Sequence, residues 1–211
     1  MDSEAELLLS VMKIKKTQHM CGKTVYFGAA FGHEIVLVYS KEGKVNAAAG
    51  TCAAILAGAD RILNFGVAGG LLSNTEVGKL YLIERAVQYD FDLKQLSGKE
   101  VGTLPGEEKN FLPLFCPALP YPRRALGTGD RFNDSPADHA LLRELGCNLR
   151  EMEAGAMAEV CRYAGLPFCA VKAVSDVYGS GSTTEQFRKN LKRALLNLKA
   201  HLPEILGALE E

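Results

Sequence analysis

The chain has 211 residues, enough for one well-buried core, and its 24 Lys+Arg against 25 Asp+Glu leave a formal charge of -1. That balance excludes an electrostatic footprint for nucleic acid or an anionic membrane, and 47% hydrophobic with 23% charged residues excludes a disordered or fibrous chain. With no apolar run near the roughly 20 residues of a membrane span, and an acidic start at Met1-Asp2-Ser3-Glu4, the expectation is one cytoplasmic domain over 1–211 with a small-molecule partner.

The pattern predicts a short amphipathic helix over 4–15, then strands over 25–31 and 34–39 around a hairpin signal at Phe31-Gly32-His33. An alanine-rich helix comes next, from Gly43 to Ala59. A strand over 61–65 leads into Gly66-Val67-Ala68-Gly69-Gly70, read as a glycine turn at a strand's carboxyl end, and 80–87 supplies another strand. Prolines at 105, 113, 117, 120 and 122 break any long element between 94 and 124. A short strand ends near Asp130, Ser135-Pro136 opens a helix to about 145, and a second helix covers about 153–163. The apolar run 168–174 reads as a buried parallel strand closed by Ser175-Asp176 and a Gly-Ser loop at 179–182, and a last helix covers about 184–209. Strands alternating with helices argue for a layered α/β fold.

The six cysteines lack metal-ligand or redox spacing and read as reduced core residues. Three segments carry more chemistry. The glycine turn has neither the dinucleotide nor the P-loop spacing, so it is either a tight turn or a place where main chain approaches a flat ligand. In Arg150-Glu151-Met152-Glu153-Ala154, an acid at a helix start answers the macrodipole, or faces a pocket and accepts hydrogen bonds from a ribose diol with a thioether alongside the sugar. Asp176, at the end of an apolar strand, is either a turn residue or an acid whose pKa burial raises into the range of a proton donor.

Taken in order, Gly43-Lys44-Val45-Asn46-Ala47-Ala48, Asn64 to Leu71, Thr128-Gly129-Asp130-Arg131-Phe132, Glu151-Met152-Glu153-Ala154 and Ala173-Val174-Ser175-Asp176-Val177 resemble the 5′-methylthioadenosine/S-adenosylhomocysteine nucleosidase family of the purine nucleoside phosphorylase superfamily. The resemblance covers most of the chain. It implies a three-layer α/β/α fold with a central mixed, twisted sheet, a homodimer, and no metal or cofactor. It also implies that Asp176 protonates purine N7, that Glu4 activates the attacking water, that Glu153 holds the ribose hydroxyls and that Met152 contacts the sugar. Phe132 would stack on the base and the backbone around Asn133 would read its edge, with Val67, Gly69, Glu151 and Ser175 also at substrate-contacting positions.

Such a site resembles the two-carboxylate logic of inverting glycosidases, with water attacking as the protonated base leaves. Asn64 stands where the phosphorylases place a phosphate-binding arginine, which favours water over phosphate. The rival readings are a phosphorylase, a nucleosidase for another purine nucleoside, or a nucleoside-binding protein without turnover. Five features differ from the family pattern, one of them the proline-rich stretch from 105 to 122, which replaces a regular helix. Met1 stands where the family's first strand would end, so the sheet is expected to lack it. Glu42 and Thr184 replace apolar groups of the 5′ pocket, Val67 replaces a serine, and Lys172 replaces a frequent arginine.

Overall fold

Two tight reversals shape the first part of the chain. Cys21-Gly22 and Phe31-Gly32 each place two successive residues at positive φ (50° and 70°, 54° and 89°), the two-residue hairpin geometry whose twist matches that of paired strands. They join β1 (Lys13–Met20), β2 (Lys23–Ala30) and β3 (His33–Tyr39) into an antiparallel meander. Ahead of it lies α1 (Asp2–Leu9). The helix expected over 4–15 therefore stops at Leu9. Beyond it β1 is an exposed, lysine-rich edge strand, polar because an open edge must discourage further pairing. The structure, a computed structural model, describes residues 2–71 and 74–210. Met1, where the implied first strand would end, lies outside the described residues.

The remaining strands form one mixed sheet in the order β6-β5-β7-β8-β4-β9, and β5 also pairs with β9, so that five strands close on themselves. They are β4 (Ile62–Gly70), β5 (Leu80–Gln88), β6 (Leu112–Pro113), β7 (Arg123–Thr128), β8 (Leu149–Glu151) and β9 (Phe168–Val177). β4 is parallel to β9, and β7 is parallel to β5 and β8; β8 is antiparallel to β4, as β9 is to β5. On one face, α2 (Lys44–Leu56) and α5 (Ala154–Ala164) meet Ile62, Ala68, Leu126, Ala170 and Val174 through small side chains such as Ala54 and Ala158. On the other, α6 (Thr183–Ala208) lays Ala194, Leu198, Leu202 and Ile205 against Phe65, Val67, Val171 and Ala173. Period-2 alternation along β4 and β9 thus feeds two helical layers, the α/β/α arrangement expected. The short α3 (Lys94–Ser97) and α4 (Pro136–Glu144) complete the chain, α4 capped by Ser135.

Two local expectations are corrected. The glycines at 66–70 are not a turn but the last half of β4, buried within the sheet. β9 likewise continues past Val174 to Val177, so Asp176 is a strand residue. β8 is an additional strand, three residues long, in a stretch that reads as the approach to a helix. A cavity of about 720 Å³ lies between the meander and β4, lined by apolar groups including Val36, Val38, Phe65 and Met157. None of the carboxylates expected at the site borders it.

Candidate active site

The site is built along the glycine half of β4. At Gly66 the missing side chain makes room for Glu4: a Cβ there would stand 2.5 Å from Glu4 Oε1. The same oxygen accepts a hydrogen bond from the Val67 N–H at 3.0 Å, which fastens α1 to the sheet. The Val67 side chain points the other way, into the α6 layer, so what it offers the site is main chain.

Gly66 pairs with Lys172 on β9, and Lys172, 2% exposed, is the buried cation of this region. Its ammonium lies 3.1 Å from Glu151 Oε2. Burial alone would lower the Lys172 pKa, but the charges of Glu151, Glu153 and Glu4 outweigh it and hold the group protonated, above its usual value. Glu151 is fully engaged by the protein. Oε1 accepts from the Thr128 hydroxyl, and Oε2 accepts from the Glu153 and Ala154 N–H groups as well as from Lys172. Burial pushes its pKa up, yet Lys172 and these donors more than compensate, leaving it below the ordinary carboxylate value.

Glu153, the N-cap residue of α5, makes no side-chain cap and turns instead toward Gly43, whose N–H donates to Oε1 at 3.0 Å. Gly43 has φ 94° and sits so close to Asp130 that a Cβ would lie 3.1 Å from Oδ1. The segment is held there by Lys44, whose N–H reaches Asp130 (2.8 Å) and whose ammonium reaches Asp90 (2.6 Å). Burial and the neighbouring Glu151 charge push the Glu153 carboxyl up to about 7.

Asp176 stands further along β4, opposite Gly69, where an extra residue in β9 shifts the register and re-aims the strand end. It is 2% exposed, and Ser175 donates to Oδ1 at 2.7 Å. Burial raises its pKa; the Ser175 hydroxyl and the Arg150 charge oppose that rise, and the Asp134 charge adds to it. The charged groups thus fall into two sets. Glu4, Glu153, Glu151 and Lys172 act on one another near Gly66, and Asp176, Arg150 and Asp134 form a second set at Gly69. Three residue steps along the strand, about 10 Å, separate the two glycines.

Phe132 is 52% exposed and meets Phe187 edge to face, with ring centroids 5.4 Å apart. Asn133 is fixed by its own side chain, which donates to Asp138 (2.8 Å) and accepts from the Ser135 N–H (3.0 Å), leaving main chain at the loop edge. Met152 lies half-buried in the bend between β8 and α5. Glu42 is exposed and Thr184 partly buried, so neither is a sealed wall. Lys172, noted in the sequence only as a replaced arginine, emerges as the charge shared by three carboxylates. Arg150, beside Asp176, carries no sequence signal for that placement beyond its position next to Glu151.

Among the described residues no group of three or more His, Cys, Asp or Glu side chains is arranged to hold a metal ion, and no described helix is long and apolar enough to cross a membrane. The cysteines are unpaired, but they are not all core residues: Cys21, in a hairpin turn, and Cys52, on the outer face of α2, are exposed. Burial pushes Cys147, Cys161 and Cys169 up to about 12, so these three are poor nucleophiles.

A sequence model of the phosphorylase superfamily matches residues 1–207. The 5′-methylthioadenosine/S-adenosylhomocysteine nucleosidase of Halalkalibacterium halodurans is 33% identical over 223 residues, covering 99% of this chain and 96% of that protein. The nucleosidase of the same name from Hydrogenovibrio crunogenus is 30% identical, covering 96% of each. The crystal structure of such a nucleosidase from Colwellia psychrerythraea, in complex with adenine, superposes with a TM-score of 0.90 at 26% identity, covering 99% of this chain and 92% of the other. The chain belongs to the phosphorylase superfamily and, within it, to the 5′-methylthioadenosine/S-adenosylhomocysteine nucleosidases.

Proposed function

We propose that the protein hydrolyses the N-glycosidic bond of adenine nucleosides of the 5′-methylthioadenosine and S-adenosylhomocysteine type. The observation that carries this reading is the division of charge along β4. Carboxylates near Gly66 suit a sugar that becomes cationic, and a buried carboxyl group near Gly69, its pKa raised by burial, suits the base that must accept a proton.

In this reading the C1′–N9 bond breaks with its electron pair passing to the purine while Asp176 gives its carboxyl proton to N7. Adenine then departs neutral. The Glu4 carboxylate stabilises positive charge at C1′, takes a proton from water and directs the hydroxyl to that carbon. General acid catalysis of this kind contributes on the order of 100- to 10,000-fold. Glu153 accepts hydrogen bonds from the ribose hydroxyls, Met152 lies against the sugar, Phe132 stacks on the base, and main chain at Asn133, Val67 and Gly69 contacts the ligand. Glu151 acts through the protein, capping α5 and pairing with Lys172, and Ser175 acts by orienting Asp176. Water is favoured over phosphate because three carboxylates surround one cation that is already paired.

A cytoplasmic homodimer acting as a single domain over 1–211 completes the proposal. Supporting self-association, α2 presents Val45 (81% exposed), Cys52 and Leu56 (71% exposed) on one face at helical spacing.

The test is to incubate the purified chain with methylthioadenosine, S-adenosylhomocysteine, adenosine and inosine, with and without phosphate, and follow free base by chromatography. The expected result is phosphate-independent adenine release that Asp176→Asn abolishes. Release that requires phosphate and yields a ribose 1-phosphate would make the protein a phosphorylase instead.

A further inference from the structure

Gly69 has a direct partner on each side of its strand: Arg150 on β8 and Asp176 on β9. The point where a Gly69 Cβ would stand lies 2.7 Å from Asp176 Oδ2 and 3.4 Å from both Cγ and Nε of Arg150. The two side chains therefore flank the same gap over the glycine, and any larger residue at 69 would crowd both.

Arg150 is only 7% exposed, and its guanidinium is anchored at the far end. Nη2 donates to the Thr183 hydroxyl at 3.3 Å. Thr183, at the start of α6, donates both its hydroxyl and its N–H to Asp134, in the loop that follows Phe132. Among the described residues Arg150 forms no contact ion pair. A buried guanidinium without a contacting carboxylate is costly. Placed beside a carboxylic acid that is to become an anion, it has a use.

We infer that Arg150 is the positioning residue of the general acid, holding Asp176 over Gly69 and stabilising the carboxylate that remains once the proton has moved to the purine. This role rests on the reading of Asp176 as the acid. The reacting proton leaves an Asp176 oxygen for N7 as the glycosidic electron pair enters the base, so negative charge appears on a buried group. Ser175 already donates to one oxygen of that group. The other, Oδ2, is the one nearest the Gly69 gap that Arg150 flanks. The charged groups facing Asp176 are Arg150 from β8 and Asp134 from the loop, and they act in opposite senses.

The opposition supplies the experiment. Adenine release is measured from about pH 5 to pH 9 for the full chain and for Arg150→Met, Arg150→Lys, Asp134→Asn and Asp176→Asn, with thermal unfolding followed in parallel. Removing the cation weakens the acid, so Arg150→Met is expected to lower the plateau rate and to move the alkaline limb up by about one pH unit. Arg150→Lys should return the limb toward that of the parent. Asp134→Asn should move it down, and this variant serves if Arg150→Met does not fold. An alkaline limb unmoved by Arg150→Met, or by Asp134→Asn where Arg150→Met does not fold, overturns the inference. So does a change confined to the preference between adenosine and inosine, which would make Arg150 a reader of the base. Loss of release in Asp176→Asn alongside an unmoved limb overturns the role of Arg150 alone, whereas full activity in Asp176→Asn overturns both.

Discussion

The Glu4 carboxylate rests against the bare edge of Gly66 and takes the Val67 N–H at 3.0 Å, a contact between residues 63 positions apart that joins an eight-residue helix to the sheet. The position of the carboxylate is therefore set by the absence of one methyl group. Gly66→Ala would place a carbon 2.5 Å from Oε1 and push the side chain aside. We expect kcat to fall by about 100-fold, the scale of a 1 Å displacement of a catalytic group, while a Tm within a few degrees of the parent shows that the sheet is intact. Unchanged kcat would remove Glu4 from the mechanism.

Lys172 and Glu151 form an ion pair that is almost wholly buried, and such pairs are lost at high cost when one partner goes. Lys172→Met leaves the Glu151 carboxylate without its cation and should destabilise the fold by about 3–5 kcal/mol, read as a lower urea midpoint. Lys172→Arg, which keeps the charge, should lose far less. The double variant Lys172→Met with Glu151→Gln should recover part of the loss, because the stranded charge is gone.

Phe132 presents half its surface and has one aromatic neighbour, Phe187. If it stacks on the base, Phe132→Ala removes an interaction of about 1–3 kcal/mol and should raise KM by about tenfold or more. Because the ring is so exposed, stability should change by no more than about 0.5 kcal/mol. A large loss of Tm with KM unchanged would instead make Phe132 a packing residue for α6.

Part of the architecture and of the site was legible in the sequence. The apolar run before Asp176 and the acid-rich entry to α5 are local patterns, and both sit where the pattern puts them. The Gly66–Gly70 run misled because five residues with three glycines look like a turn, whereas the strand runs on through them and the glycines accommodate side chains from elsewhere: Glu4, Asp176 and Thr75. β1 was obscured for another reason. Its Lys-rich sequence lacks an apolar face because it lies exposed at a sheet edge, and only Cys21-Gly22 marks the hairpin. The pairings of Lys172 with Glu151 and of Arg150 with Thr183 span 21 and 33 residues, and no periodicity encodes them. The resemblance alone implies a role for Glu4, and nothing in the sequence points to its contact with Gly66 and Val67.

Glu153 carries the last prediction, because its function and its stability pull in opposite directions. Its carboxyl is raised from 4.5 to about 7 by burial and by Glu151. Between those values the folded chain binds more protons at this residue than the unfolded chain, so stability falls as pH rises through that window. The loss is complete above about pH 7 and absent below about pH 4.5. Glu153→Gln removes the titration while keeping an acceptor for the Gly43 N–H. At pH 8 the variant should be the more stable protein by roughly 1–3 kcal/mol, a rise in Tm of several degrees, and the difference should close as the pH approaches 4.5. Catalysis should move the other way. An ionised carboxylate accepts hydrogen bonds from two ribose hydroxyls more strongly than an amide does, so Glu153→Gln should raise KM at pH 8. A variant no more stable at pH 8 than at pH 4.5, each relative to the parent, would show that Glu153 is ionised in the free protein without cost.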